Sequence, residues 1–272
     1  DDLDGREVMV TISCITYNHE PYIRNTLEGF VNQQGNFRFE AIVHDDASTD
    51  ETAAIIREYA NKYPSIIKPI FEKENQYSKH DGSLRRIMDA HTRGKYVAYC
   101  EGDDYWIDPL KLQKQVDWLE DHEDCVLVHT DFNVLSKNGI APHTGNNPID
   151  GNSLMEYLDG KFHLATLTTC VRKSALERID RSDIKEHFLI GDYPQWLEIL
   201  RLGTIKYIPE RTSVYRSLEE SASHSKNKRK TLIFTKNIEE IRLYFANKYF
   251  SKDLQNRYRR RIIGGDAQIA LY

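Results

Sequence analysis

The chain has 272 residues, with 40% apolar and 11% aromatic side chains and only eight prolines, which excludes disordered and fibrous proteins. This length buries one sizeable core, or one core with a small appendage. The formal net charge of −5 is uneven, because residues 224–264 hold 12 Lys and Arg against 3 Asp and Glu; the acidic remainder argues against nucleic acid binding.

The ends of the chain and its cysteines indicate a cellular setting. No run of about 18 apolar residues is present to span a bilayer. The polar, acidic residues 1–7 are atypical of a signal peptide, and we expect them to be disordered. The thiols of Cys14, Cys100, Cys125 and Cys170 form no C-x-x-C pair and lie in or beside apolar runs, which is typical of reduced, buried cysteines. We therefore predict a cytoplasmic protein.

The first part of the chain alternates between predicted strands and helices. Val8 to Ile15 is a β-rich apolar run that predicts a strand buried on both faces, and it ends at the polar Thr16-Tyr17-Asn18. From Pro21 to Gln34 the apolar residues recur at helical spacing. A second strand, Phe37 to His44, leads into Asp45-Asp46.

The same alternation continues along most of the chain. Ser48 or Thr49 is expected to cap the next helix. Further elements up to residue 130 are Ile66 to Phe71, a helix near Gly82 to Thr92, the strand Tyr96 to Cys100, a helix near Pro109 to Asp121 and the strand Val126 to Thr130. After a looser stretch the pattern resumes with Leu164 to Val171, a helix around Tyr193 to Leu202, and Ile205 to Tyr215. These elements predict an α/β fold with a mostly parallel sheet.

The basic end of the chain has a different pattern. Residues 229–262 combine apolar positions at helical spacing with many cations, and we predict two basic amphipathic helices. Such a surface could contact anionic headgroups at the inner face of the plasma membrane. A solvated helical face and a nucleic-acid patch are the alternatives, and the acidic remainder of the chain disfavours the second.

Three polar clusters follow predicted strands: Thr16 to Asn18, Asp45-Asp46, and Glu101 to Asp104. In open parallel sheets ligands collect beyond the carboxyl ends of the strands, so these clusters should converge. Mg²⁺ or Mn²⁺ needs few protein oxygens, because phosphates and water complete its coordination. A plain acidic turn is the alternative for Glu101 to Asp104. Neither G-x-G-x-x-G nor a P-loop motif is present to bind phosphate.

Four motifs in this order resemble the inverting, metal-dependent glycosyltransferases of family 2, which have the GT-A fold. The motifs are Ser13-Cys-Ile-Thr-Tyr-Asn18, Ile42-Val-His-Asp-Asp-Ala-Ser-Thr-Asp50, Gly94-Lys-Tyr-Val-Ala-Tyr-Cys-Glu-Gly-Asp-Asp-Tyr-Trp106 and Gly191-Asp-Tyr-Pro-Gln-Trp-Leu197. The resemblance covers about residues 8–216. It implies a Rossmann-like central sheet flanked by helices, a transferase domain over 8–223 and a basic helical extension over 224–272.

The resemblance divides that domain into two halves. A nucleotide-sugar half would cover about 8–130 and an acceptor half about 131–223. In the first half Tyr17 would lie against the base, Asp46 would accept from a uracil-type N3, and Asp45 would shape the same loop. Thr16 and Asn18 belong to this set.

The D-x-D motif of the family corresponds here to Glu101-Gly-Asp103. By resemblance Asp103 would bind Mg²⁺ or Mn²⁺, with Asp104 supporting it or touching the sugar, and Glu101 would contact ribose or metal. Arg85, or its neighbour Arg86, would lie near the nucleotide, with a solvated helix charge as the alternative.

Two residues later in the chain are also implied by the resemblance. Asp192 matches the catalytic base, although a carboxylate there could instead be a helix N-cap. His224 stands where several GT-A enzymes close a late residue over the diphosphate, and it is a second candidate metal ligand. A surface histidine is the alternative.

These residues imply one in-line displacement with inversion, in which a sugar passes from a nucleotide diphosphate, expected to be UDP, to an acceptor hydroxyl. The Q-x-x-R-W signature of processive synthases is absent, so we expect transfer of a single sugar. The acceptor would be a glycan or a lipid-linked glycan in bacterial surface polysaccharide or glycolipid synthesis. A sugar-phosphate nucleotidyltransferase and a catalytically inactive binding protein of the same fold are the alternatives.

Overall fold

The computed structural model describes residues 5–145, 154–179, 188–218 and 227–270. Its strands are β1 Val8–Thr16, β2 Arg38–Asp45, β3 Ile67–Phe71, β4 Tyr96–Tyr99, β5 Tyr105–Trp106, β6 Cys125–Ser136, β7 Gly139–Pro142, β8 Cys170–Arg172 and β9 Thr204–Arg216. Its helices are α1 Ile23–Val31, α2 Thr52–Lys62, α3 Ser83–His91, α4 Lys111–Asp121, α5 Leu154–Leu158, α6 Lys173–Leu176, α7 Asp192–Leu200, α8 Lys228–Tyr249 and α9 Lys252–Ile269. Short 3-10 turns occupy Tyr77–Lys79 and Thr166–Thr168.

One mixed sheet joins both halves of the chain. Its order is β3-β2-β1-β4-β8-β6-β9-β5, with β7 beside β6. The first four strands in this order run parallel, and β8 then pairs antiparallel with both β4 and β6. Strand β9 runs parallel to β6 and antiparallel to β5. The predicted α/β architecture is confirmed.

The strand register sets the position of the polar clusters. Thr16 at the end of β1 pairs with Asp45 at the end of β2, and Ser13 pairs with Tyr99 at the end of β4. Because these strands are parallel, their carboxyl ends lie at one edge of the sheet. The loops that carry the predicted site residues therefore begin side by side.

Two apolar clusters cover the sheet. The first includes Ile12 of β1, Phe30 of α1 and Leu119 of α4, all fully buried. The second joins Trp196 of α7 to Phe245 of α8. The basic C-terminal helices therefore share a core with the second half of the domain.

The cations of these helices also bind polar and acidic side chains in the rest of the domain. Arg242 Nε donates to the Tyr193 hydroxyl at 3.2 Å, and Lys248 Nζ lies 3.6 Å from a carboxylate oxygen of the buried Glu198. Arg257 forms an ion pair with Asp159. Some of the positive charge of the C-terminal helices is thus neutralised by acids elsewhere in the chain.

Two local predictions were wrong. Of Leu164 to Val171, only the last residues belong to a strand, because the hydroxyls of Thr168 and Thr169 bond to the carbonyls of Ala165 and Thr166 and so stabilise a turn. Neither Ser48 nor Thr49 caps α2; Glu51 precedes the helix without a side-chain cap. In its place, Asp50 Oδ1 accepts from Thr52 N at 3.0 Å.

The burial predicted for the cysteines is found in the structure. All four cysteines are buried and unpaired. Among the described residues no helix is both long and apolar enough to cross a membrane. Residues 1–4 of the expected disordered start lie outside the described residues, whereas Arg6 donates to the Asn36 carbonyl at 3.2 Å.

Candidate active site

The loops after β1 and β2 are locked together by Asn18. Its backbone N–H donates to Ser48 Oγ at 2.8 Å, and its side-chain Oδ1 accepts from Thr49 N at 2.8 Å. Asn18 has a φ of 53°, which asparagine tolerates better than most residues. Its polar atoms therefore hold the two loops in register.

The acidic turn after β4 presses against the end of β1. Gly102 N donates to the Ile15 carbonyl at 3.0 Å, and a Cβ on Gly102 would lie 2.6 Å from Thr16 Oγ1 and 2.9 Å from His19 Nδ1. Only glycine fits this approach. Thr16 is buried, and its hydroxyl has no hydrogen-bond partner among the described residues.

His19 is a candidate site residue that the sequence did not single out. Its Nδ1 is buried and has no hydrogen-bond partner among the described residues. Burial lowers the pKa of His19, while the charges of Asp103 and Asp50 oppose this shift. The available signal was its position, directly after Thr16-Tyr17-Asn18.

The two aspartates after β2 have different surroundings. Asp46 is 1% exposed, and its oxygens accept from Gln76 N at 2.6 Å and Tyr77 N at 3.0 Å, which fixes the loop after β3. Burial raises the pKa of Asp45, opposed by hydrogen bonds from Ser48, and the Oδ1 atom of Asp45 has no hydrogen-bond partner among the described residues.

The loops after β1 and β3 carry exposed aromatic rings. Tyr17 is 45% exposed on the loop after β1, and Tyr77 is 64% exposed on the loop that Asp46 holds. Arg85 is half-buried on α3, whereas Arg86 is exposed and donates to the Asp81 carbonyl at the start of the same helix. Arg85 is thus the less solvated of the two.

Asp104 ties the acidic turn to β9. Its Oδ1 accepts from Arg216 N at 2.7 Å. Burial and the charges of Asp103 and Glu101 raise the pKa of Asp104. The Arg216 guanidinium lies 5.1 Å from the ring centre of Tyr22 and 4.8 Å from that of Tyr105.

Glu101, another acid of the turn, lies close enough to Asp192 for the two charges to interact. Burial, followed by the charges of Asp103 and Asp192, raises the pKa of Glu101 to about 7. Carboxylates from the turn and from α7 therefore share one region of negative potential. Such a region favours a cation.

Asp192 is the first residue of α7. Gly191 precedes the helix, and no side chain caps it, so Asp192 does not act as the N-cap. Its Oδ2 accepts from Thr166 Oγ1 at 2.8 Å, and the amino end of the helix favours its negative charge.

His163 is a second candidate residue that the sequence did not single out. Its side chain is exposed to solvent, yet desolvation by the surrounding protein lowers the pKa of His163, and the charge of Asp192 opposes the shift. The lone histidine in Lys161-Phe-His-Leu164 offered no motif from which to predict this neighbour.

The oxygen donors at the acidic turn fit a hard divalent cation. Asp103 and Glu101 offer carboxylates and no sulfur or nitrogen, as Mg²⁺ or Mn²⁺ prefers. Across the described ranges, no three His, Cys, Asp or Glu side chains are arranged to hold a metal alone. Substrate phosphates would have to supply further ligands. His224 lies outside the described residues.

A family comparison covers the loops described above. The family described as Glycosyl transferase family 2 matches residues 11–180. This match includes more than half of the chain. The chain belongs to glycosyltransferase family 2.

Relatives of this chain differ from it and from one another in length. Rv1520 of Mycobacterium tuberculosis is 44% identical over 221 residues, which are 79% of this chain and 61% of that protein. The chain thus spans less than two thirds of this relative. Escherichia coli WfaP, named UDP-Glc:alpha-D-GlcNAc-diphosphoundecaprenol beta-1,3-glucosyltransferase, is 25% identical over 232 residues, which are 85% of each chain.

A solved structure shows that this family member has the GT-A fold. Staphylococcus aureus TarS, residues 1–349 in complex with UDP-GlcNAc, superposes with a TM-score of 0.67 at 18% identity. The match covers 95% of this chain and 72% of TarS. The predicted family and fold are confirmed.

Proposed function

We propose that this protein transfers a single sugar from a UDP-sugar to an acceptor hydroxyl with inversion, and that Asp192 is the general base. The observation that carries the proposal is that the charge of Asp192, the first residue of α7, helps to raise the pKa of Glu101 in the acidic turn after β4. In this proposal the carboxylate of Asp192 would stand opposite the carboxylates that hold a metal-bound diphosphate. This arrangement suits a displacement between the two.

The chain's residues have separate tasks in this reaction. Asp192, with one carboxylate oxygen bonded to Thr166, removes the proton from the acceptor hydroxyl. The acceptor oxygen attacks the anomeric carbon while the nucleoside diphosphate leaves on the side of Asp103. One displacement inverts the anomeric centre.

We assign Asp103 as the protein ligand of Mg²⁺ or Mn²⁺, with Glu101 as a supporting acid. When bound, the ion offsets the charge that grows on the leaving diphosphate. Asp104 holds the turn through the backbone of Arg216. His224 stays a candidate ligand on sequence grounds alone.

We propose that the nucleotide lies over the loops after β1 and β2. The exposed ring of Tyr17 offers a stacking surface for the base. Asp46 and Asn18 hold the loops on which the nucleotide would lie. Asp45 keeps a carboxylate oxygen without a hydrogen-bond partner among the described residues. The Thr16 hydroxyl likewise has no hydrogen-bond partner among the described residues. In this proposal Arg85 lies near the nucleotide.

The acceptor we propose is a glycan or a lipid-linked glycan of a bacterial surface polysaccharide or glycolipid. The name of WfaP includes a diphosphoundecaprenol-linked acceptor and UDP-Glc as donor, and TarS was solved with UDP-GlcNAc. Those facts concern the relatives and support the proposal here. The catalytic site would then work on the cytoplasmic side of the membrane.

We also propose peripheral contact with anionic lipid through the exposed side chains Arg259, Arg260 and Ile263 of α9. Each cation near such a surface contributes about 1 kcal/mol. Co-sedimentation with anionic vesicles tests this contact by comparing the parent protein with an Arg259→Glu, Arg260→Glu variant. Equal binding would favour a solvated helix face.

The catalytic proposal is tested with two substitutions and a panel of UDP-, GDP- and dTDP-sugars in Mn²⁺. Asp103→Ala should abolish metal-dependent donor hydrolysis. Asp192→Asn should bind donor normally in calorimetry while transfer falls by roughly 100-fold or more, as expected for loss of a general base. Near-normal transfer by Asp192→Asn would refute the base assignment.

A further inference from the structure

The turn Thr166–Thr168 is hydrogen-bonded through its backbone carbonyls to Trp106 of β5 and Gln115 of α4. Trp106 Nε1 donates to the Leu167 carbonyl at 2.9 Å, and Gln115 Nε2 donates to the Thr168 carbonyl at 2.8 Å. Trp106 belongs to the same short segment as the acidic turn. The position of the turn therefore depends on the residues that follow Asp103.

Gln115 is itself fixed by a buried cation. Lys111 Nζ donates to Gln115 Oε1 at 2.7 Å and lies 4.2 Å from the centre of the Trp106 ring. Lys111 and Gln115 are both fully buried. Trp106, Lys111 and Gln115 thus form one packed support beneath the turn.

The hydroxyl of Thr166 points from this support to the candidate base. Thr166 Oγ1 donates to Asp192 Oδ2 at 2.8 Å. A hydroxyl has one proton, so this bond commits it to Asp192. A carboxylate with one oxygen bonded keeps its other oxygen available as an acceptor.

We infer that Thr166 is a positioning residue that orients the carboxylate of Asp192 toward the acidic turn, with Trp106 and Gln115 setting its place. This inference rests on the proposed role of Asp192. It links the proposed diphosphate and acceptor sides of the site through the turn Thr166–Thr168. Trp106 bonds to Leu167, Gln115 bonds to Thr168 and to Lys111, and Thr166 bonds to Asp192. Buried side chains would thus align Asp192 with the acidic turn.

The alignment has a kinetic consequence. A carboxylate that rotates freely about its helix position spends less time where it can receive the acceptor proton. A misplacement of about 1 Å in a catalytic group can lower the rate about 100-fold. Thr166 should therefore affect the turnover rate more than the binding of either substrate.

The test uses the whole chain with Thr166→Val, which removes the hydroxyl at similar volume, and Thr166→Ser, which keeps it. We expect Thr166→Val to lower kcat for transfer about 10- to 100-fold while the donor Kd and the acceptor KM stay within about twofold. Thr166→Ser should recover most of the turnover. Thr166→Ala gives the same comparison if the valine variant does not fold.

Thr130→Val is the matched control. It removes a buried hydroxyl contact of 2.7 Å to Thr212, between β6 and β9, and should lower thermal stability without a selective loss of kcat. If Thr166→Val and Thr166→Ser lose turnover equally, the hydroxyl does not orient the base. If Thr166→Val keeps normal turnover while Asp192→Asn is inactive, the inference fails and the proposed function stands. If Asp192→Asn is active, the proposed function fails first.

Discussion

A Cβ atom on Gly102 would lie 2.6 Å from both the Cβ and the Oγ1 of Thr16. This is closer than side-chain and backbone atoms can pack without movement. The acidic turn and the end of β1 therefore form one rigid unit, and the spacing of Glu101 and Asp103 depends on the glycine between them.

We predict that Gly102→Ala lowers both stability and donor affinity. The added methyl must displace Thr16 or the turn, and such overpacking costs about 1 to 3 kcal/mol. Thermal unfolding and calorimetry with the donor measure the two effects. Gly264→Ala is the control, because a Cβ there meets no atom within 4 Å and alanine in a helix is favoured by up to about 1 kcal/mol. Unchanged donor affinity in Gly102→Ala would contradict the prediction.

Asp103 and Asp104 should respond differently to the same substitution. Asp104 Oδ1 accepts from Arg216 N, and an asparagine keeps an acceptor oxygen at that place. Burial and neighbouring acids already raise the pKa of Asp104, so a neutral side chain suits its surroundings. We expect Asp104→Asn to keep the fold and most activity.

Asp103→Asn should instead lose metal-dependent activity, because a hard cation prefers a charged oxygen. Titrating Mn²⁺ against donor hydrolysis in both variants separates the two roles. If Asp104→Asn loses more metal affinity than Asp103→Asn, the metal assignment would have to move to Asp104.

The sequence predicted the strand ends well. A continuous apolar run such as Val8 to Ile15 is typical of a strand buried on both faces, and the strand ends where the polar residues begin. It predicted the turn at Thr166 poorly, because local hydroxyl-to-carbonyl bonds there competed with the strand pattern. Which side chains meet Asp192 depends on packing between distant segments. No local pattern around His163 or Thr166 could report those contacts.

The buried Lys111 gives the protein a pH-dependent stability. Desolvation lowers the pKa of Lys111 to about 8, below its ordinary value, so the folded state binds fewer protons than the unfolded state between pH 8 and the unfolded value of about 10.4. Stability should therefore rise as the pH rises through this window, and the contribution is absent below about pH 8.

Lys111→Met should remove that rise, because methionine fills a similar volume without a titrating group. Urea unfolding at pH 7, 8 and 9 measures the slope for both proteins. The Lys114→Met variant is the control, since Lys114 is partly exposed and pairs with Asp108 and Glu210. An equal pH slope in the parent and Lys111→Met would contradict the assignment.

The C-terminal hairpin of α8 and α9 should be essential to the folding of the part of the domain that contains α7. Phe245 of α8 and Tyr258 of α9 are fully buried in the cluster that also holds Trp196 of α7. The amphipathic pattern of residues 229–262 predicted the helices. It did not predict the part of the domain against which their apolar faces pack. Deleting 224–272 would expose that core, so a truncated chain is unsuitable for testing membrane contact.

We predict that Phe245→Ala lowers the free energy of unfolding by about 3 to 5 kcal/mol, the usual effect of removing a buried aromatic ring. Ile263→Ala should change it little, because Ile263 is 67% exposed on α9. Urea unfolding gives both values, and vesicle binding of Ile263→Ala adds an independent measure of the proposed lipid contact. If Phe245→Ala unfolds like the parent protein, the hairpin would be a dispensable extension and its removal should leave α7 and Asp192 in place.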